Sequence, residues 1–240
     1  MPMAHALRTD GPPARPEPDP DCIAVGIEAA GWLPAFSAGS QIMTGDGPVA
    51  AGWLRPGDLA LTRDSGLQPV VWVGRCHVPA AAAAARPDLW PVRLAPGAMG
   101  RASPAAPLTV APSHRVLVRG WALDLHLGLR EALAVARDLV GRPGIARVAP
   151  EGPLDLYLVL LERHEAILAD GLWVESLHPG DIPADVLSAP GAGRLRTLSH
   201  EVAASCGHAV RPVLTASETV FVPDGAPEEA PMDEPARLTA

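Results

Sequence analysis

Three short blocks, far apart in the chain, hold the side chains that could move protons or attack a carbonyl. They are Ala35-Phe36-Ser37-Ala38-Gly39-Ser40, Ala111-Pro112-Ser113-His114-Arg115, and Arg163-His164-Glu165 running on to Asp170-Gly171. A serine in these blocks could act as a nucleophile if a base took its proton, and His114 or His164 could serve as base or acid. Spacing excludes the commoner arrangements. Ser113 and His114 are adjacent, so on a strand they face opposite ways, and no GxSxG elbow surrounds the serine. His164-Glu165 opens an HExxH pattern, but Leu168 stands where the second histidine is needed. His77, His126, His178, His200 and His208 show no ligand spacing. Cys22, Cys76 and Cys206 are odd in number and form no CxxC pair, so neither a metal, a disulfide framework nor another cofactor is expected.

Short strands must position these blocks. The chain carries 28 prolines and 23 glycines in 240 residues, scattered throughout, which leaves little room for long helices. Gly45-Asp46-Gly47 separates Gln41–Thr44 from Val49–Leu54, and Arg55-Pro56-Gly57-Asp58 precedes Leu59–Thr62. Both are turn chemistry, because glycine tolerates positive φ and proline presets the first turn dihedral. Further strands are expected at Gln68–Gly74, Trp90–Leu94, Leu108–Ala111, Arg115–Arg119, Leu154–Leu161 and Trp173–Glu175, where β-branched, aromatic or leucine residues concentrate. The alanine run Ala80–Ala85, bounded by Pro79 and Pro87, reads as a loop. One helix is expected over Leu127–Leu139, where Leu129, Leu133, Val135 and Leu139 recur near helical spacing. A second short helix fits Gly193–Gly207, and a last extended piece fits Val213–Val222. Tryptophans 53, 72, 90, 121 and 173 read as core anchors.

The blocks and the Leu54-Arg55-Pro56-Gly57-Asp58 turn between them resemble, in order, the Hint family, the fold shared by Hedgehog autoprocessing domains and inteins. Bacterial Hint-domain proteins are the more similar branch, since the likeness runs on through Leu139-Val140, Glu175-Ser176-Leu177-His178-Pro179-Gly180-Asp181 and Arg211-Pro212-Val213-Leu214. The resemblance implies an all-β, Hint-type horseshoe of short twisted strands with pseudo-two-fold halves, one short helix and flexible tails. The expected organisation is a disordered Pro-rich lead at 1–32, a Hint-like domain at 33–190, a C-terminal extension packing on it at 191–223, and a disordered tail at 224–240.

The family's chemistry is an acyl shift on its own main chain. A Cys or Ser at the first position attacks the preceding carbonyl, a histidine protonates the departing nitrogen, and donors hold the oxyanion. Here the first position aligns with Ala35, whose methyl group has no lone pair. The hydroxyl residue three before the motif histidine is also missing, as Ala111. His114 matches the motif histidine and His164 the one before the Asp-Gly turn; without a nucleophile both are expected to be vestigial, holding the strand turns by hydrogen bonds. Ser37 is the alternative nucleophile, with His114 as its acid. It lies two residues on, about 6.6 Å along an extended strand, and would have to attack the Phe36 carbonyl instead. No His-Asn junction follows Asp170-Gly171, so protein splicing is not expected. The expected function is therefore a protein derived from a self-cleaving domain, inactive in cleavage and acting as a binding or structural module; the alternative is autoprocessing through Ser37.

Charge restricts the partners. The net charge is −8 and all 19 basic residues are arginine, with no basic stripe to neutralise phosphates, so neither nucleic acid nor a membrane surface is an expected partner. A protein partner of unknown identity is. Residues 1–21 have no apolar core of a signal peptide, and nowhere do ~18 apolar residues run together. The expected location is the cytoplasm, or outside the cell by a route that needs no Sec signal.

Overall fold

Glycine and proline cut the chain into short segments, and in the computed structural model, which describes residues 24–25, 31–188, 192–205 and 209–225, those segments pair side by side. The strands are β1 (Ala24–Val25), β2 (Phe36–Ser37), β3 (Gln41–Thr44), β4 (Gly47–Ala50), β5 (Leu59–Thr62), β6 (Gly66–Val78), β7 (Val92–Leu94), β8 (Leu108–Val110), β9 (Arg115–Arg119), β10 (Glu131–Val135), β11 (Ile145–Arg147), β12 (Leu154–Leu161), β13 (Ala166–Ala169) and β14 (Leu172–Glu175). All their pairings except β1 with β6 are antiparallel. The pairings join all fourteen strands into one sheet with two halves: β3, β4, β5, β9, β10, β13 and β14 make one, and β1, β2, β7, β8, β11 and β12 the other. The long β6 runs through both, pairing residues 66–69 with β5 and 70–78 with β12. The strand path ends at β10 and β11 without closing on itself, so the fold is all-β but not a barrel.

The two hairpins that open the fold use one device. Thr44 donates its hydroxyl to the Gly47 carbonyl at 2.7 Å, and Thr62 does the same to Gly66 at 2.7 Å, each threonine also accepting from a turn amide. Gly47 and Gly66 have φ of 106° and 67°, which explains glycine at the end of each turn.

Alternation along β6 and β12 separates two cores. Val159 and Leu161 face a cluster with Phe36, Val110 and Val174; Leu156, Leu158 and Leu160 face a second one with Trp72, Cys76 and Val78. Because both faces of β12 are covered, its sequence is a nearly continuous apolar run. The second face is covered by residues around helices α3 (Ala184–Ser188) and α4 (Gly193–Ser205), through Ile182, Val186, Leu195 and Val202. Full burial of Leu195 or Val202 contributes roughly 1.5–3 kcal/mol. Trp72 is 1% exposed and its indole folds over Gly74, where any β-carbon would fall inside the ring.

Several expectations are corrected. The chain has more than one helix: Ala80–Ala85 is α1, and α2 covers Trp121–Leu127. No single helix spans 127–139. Gly128, at φ 67°, caps α2, and β10 and a 3-10 turn at Ala136–Leu139 follow. The apolar residues of β10 are buried on both faces, and that coincides with helical spacing. Val213–Val222 is not extended; it holds an isolated bridge at Val213 and a 3-10 turn at Glu218–Phe221. Among the tryptophans read as core anchors only Trp72 is fully buried; Trp53 and Trp121 are 42% and 61% exposed. Most of the expected lead (1–32) and tail (224–240) lies outside the described residues, but Ala24-Val25, inside the lead, pairs with Arg75-Cys76 of β6.

Candidate functional site

Strand β2 is short but fixed on both sides: Phe36 pairs with Val110 of β8 and with Tyr157 of β12. Ala35, the residue before it, is 2% exposed, and its methyl lies in the second core with Leu33 and Ala111. The turn from β8 to β9 brings the second block onto this segment. The Ala111 amide donates to the Ala35 carbonyl at 2.8 Å, and His114 Nδ1 lies 3.1 Å from the same oxygen. A carbonyl can only accept, so Nδ1 carries the proton. Ser113, next in the turn, donates its hydroxyl to the Leu33 carbonyl at 2.8 Å. The Phe36 ring packs edge-on against the imidazole, with centroids 4.5 Å apart.

His114 is wholly buried, and its pKa falls from the ordinary 6.5 to about 4. Burial is the main cause; the Ala35 carbonyl opposes it by favouring the protonated ring, while Arg115 adds to the depression. At neutral pH the ring is therefore uncharged. It can hold a carbonyl through Nδ1–H, but it carries no acidic proton to give a departing nitrogen.

His164 does not join this contact. It accepts the Val210 amide on Nδ1 at 3.0 Å, its Nε2 is 3.5 Å from a Glu175 carboxylate oxygen, and its ring meets His178 edge-on at 4.8 Å. Glu175 ends β14, is wholly buried, and accepts both the Arg115 amide and the Arg115 guanidinium at 3.0 Å. Arg115 also bonds Asp181 at 2.7 Å; although burial opposes its charge, Asp181 and Glu175 together raise its pKa. His178 is pushed below the usual range by burial and then by His164. A network of buried Glu175 and His164 with half-buried Arg115, Asp181 and His178 thus stands beside the His114 turn.

Ser37 is half-buried in β2, opposite Leu156, and among the described residues its hydroxyl has no hydrogen-bond partner. The two donors of the site lie on the Ala35 carbonyl, not on that of Phe36. Ser40 donates its hydroxyl to the Thr109 carbonyl of β8 at 2.8 Å, a long-range contact and not a bond within its own turn.

Residues that sequence reasoning gave no role are Ser113, weighed only as half of a hydrolase dyad, and the network around Glu175. A glutamate inside the apolar run from Leu172 to Leu177 was the available signal, since a buried carboxylate needs a partner. Among the described residues no group of three or more His, Cys, Asp or Glu side chains could hold a metal ion, and no helix is long and apolar enough to cross a membrane.

Comparison with solved structures gives distant matches. A gp41-1 intein variant is 12% identical, with 59% of this chain and 98% of that one covered and a TM-score of 0.37. A bacterial intein-like domain from Clostridium thermocellum is 12% identical over 58% and 96%, TM-score 0.39. A DnaB intein from Synechocystis is 13% identical over 60% and 98%, TM-score 0.34. No curated protein matches. The sequence model of the Hint domain, however, matches residues 34–181, more than half of the chain. That interval starts one residue before Ala35 and ends at Asp181, so it spans β2, the His114 turn and the Glu175 network alike; the chain belongs to the Hint domain family.

Proposed function

We propose that this Hint domain does not cleave the peptide bond before Ala35 and that it works as a binding or structural module on the frame of an autoprocessing domain. The observation that carries the reading is Ala35 itself. A buried methyl stands where the family's acyl shift needs a thiol or hydroxyl, and another, Ala111, stands where a second hydroxyl is expected. His114 is held on the Ala35 carbonyl and uncharged at neutral pH, which suits a structural donor better than a general acid. Ser37 gains no support from its surroundings, because the donors that would stabilise an oxyanion are aimed at a different carbonyl.

Intact mass of the purified full chain, followed over days with and without dithiothreitol or hydroxylamine, tests this. The expected result is one unchanged mass. A fragment beginning at Ala35 or Ser37 would overturn the proposal and return the protein to the self-cleaving class.

A further inference from the structure

Away from Ala35 and His114, a cavity of about 240 Å³ lies against β9 and the β13–β14 turn. Its charged groups are Arg63, Arg101 and Arg119, with no acidic residue in its lining, in a chain of net charge −8. Arg63 stacks over the Trp173 ring, 5.7 Å from its centroid, and is tied to Glu131, which also binds Arg211 at 2.9 Å. Arg101 and Arg119 are exposed, and among the described residues neither guanidinium has an ion-pair or hydrogen-bond partner. Arg63 is neutralised by Glu131, so the uncompensated positive charge at the concavity is that of Arg101 and Arg119, which an anion would offset.

The walls are built rather than open surface. One is the loop 99–103, closed by Met99 N–H to the Ser103 carbonyl at 2.8 Å and Ser103 N–H to the Gly100 carbonyl at 3.0 Å. The loop carries Ala102 at φ 56°, a left-handed conformation that disfavours any residue with a β-carbon. Ser103 donates its hydroxyl to the Gly171 carbonyl at 3.3 Å, and just beyond the loop Ala105 packs so closely on Gly171 that a β-carbon there would come within 2.7 Å of it. The opposite wall is Val222-Pro223, held by Arg142 to the Val222 carbonyl at 2.6 Å and packed on Gly120, where a β-carbon would meet Pro223 at 2.8 Å. Trp173 and Leu117 supply the apolar surface.

We propose that this cavity binds a small organic anion, a single flat ring bearing a phosphate or carboxylate. Guanidinium forks of Arg101 and Arg119 match such an oxyanion bidentately, and the apolar wall that includes Leu117 and Trp173 takes the ring. The volume is below the roughly 300–1,000 Å³ of drug-sized sites, which limits the ligand to about one ring. The site does not depend on whether the chain cleaves itself.

Calorimetry on the full chain at low salt, with phenyl phosphate, benzoate and inorganic phosphate as probes, tests the assignment. Phenyl phosphate or benzoate is expected to bind one to one, the better of them about tenfold more tightly than inorganic phosphate; Arg101→Gln with Arg119→Gln is expected to weaken it about tenfold or more, as loss of charge-assisted hydrogen bonds does. Both arginines are exposed and unpartnered, so the thermal midpoint of the unliganded double variant should not move. Absence of saturable binding, equal affinity for ring-bearing and inorganic anions, or unchanged affinity in the double variant would each overturn it.

Discussion

Lowering the pH from 7 toward 4 tests the electrostatics of the Ala35–His114 contact without changing an atom of the chain. In the unfolded chain the histidine titrates near 6.5, whereas in the folded protein burial holds it down to about 4. Between those values the unfolded state takes up a proton that the folded state refuses, so stability rises with pH across the window. The stability tied to the neutral ring is complete above 6.5, declines as pH falls, and is lost by about 4. At roughly 1.4 kcal/mol per pH unit, the gap amounts to about 3 kcal/mol, a large fraction of the total stability of an ordinary domain. Carboxylates also destabilise the fold in acid, so the comparison must be differential. Urea unfolding of the natural chain and of His114→Gln, which keeps a donor within reach of the Ala35 carbonyl, would be measured from pH 7 to 4. The natural chain should lose about 3 kcal/mol more than the variant. Parallel curves would refute the claim that His114 is buried and neutral, as would movement of its ring proton resonance between pH 7 and 6.

Three other outcomes follow from particular contacts. Ala35→Cys with Ala111→Thr should still give no thiol-dependent cleavage after Pro34 at pH 7, read by intact mass, because His114 stays neutral there; cleavage would refute its role as a structural donor. Gly74→Ala should destabilise by about 1–3 kcal/mol or more, because its methyl falls in the Trp72 ring, and an unchanged melting temperature would contradict that packing. Cys76, buried and with its thiol pushed up to about 11 by burial and then by Asp155, should react with iodoacetamide at pH 8 about 100-fold more slowly in the folded chain than in urea, as peptide mapping would show.

What the sequence disclosed was mainly local. Asp46-Gly47 and Pro56-Gly57 marked turns correctly because a positive-φ glycine is a requirement of one residue and its neighbours. The run Leu154–Leu161 announced a strand covered on both faces. Prolines misled around the alanine run: Pro79 caps the helix without needing an amide hydrogen, and Arg86 before Pro87 leaves the helical region and ends it, so the two prolines bound α1 rather than prevent it. Gly128 was the missed signal at 127–139, since a glycine after Trp121–Leu127 is a helix stop. The meeting of Ala35 with His114 joins residues 79 apart in sequence. No spacing rule reaches that far, and only the likeness of ordered blocks to a known fold implied it. The Glu175 network was illegible for the same reason, its members coming from β9, β14, the β12–β13 turn and the segment after β14.

The Ala35 contact also explains why a frame without a nucleophile would keep its histidine. The carbonyls of Leu33 and Ala35 belong to buried residues, and a buried carbonyl without a donor costs free energy comparable to a lost hydrogen bond. Three donors of one turn, the Ala111 amide, the Ser113 hydroxyl and His114 Nδ1, satisfy them. A neutral imidazole is sufficient for that task, and burial enforces the neutral form at the expense of acid strength. On the proposed reading these contacts therefore serve as the joint that fixes β2 between β8 and β12. On that account replacing His114 by a residue without a donor should weaken the fold, whereas replacing Ser37, which holds nothing through its hydroxyl among the described residues, should leave it unchanged.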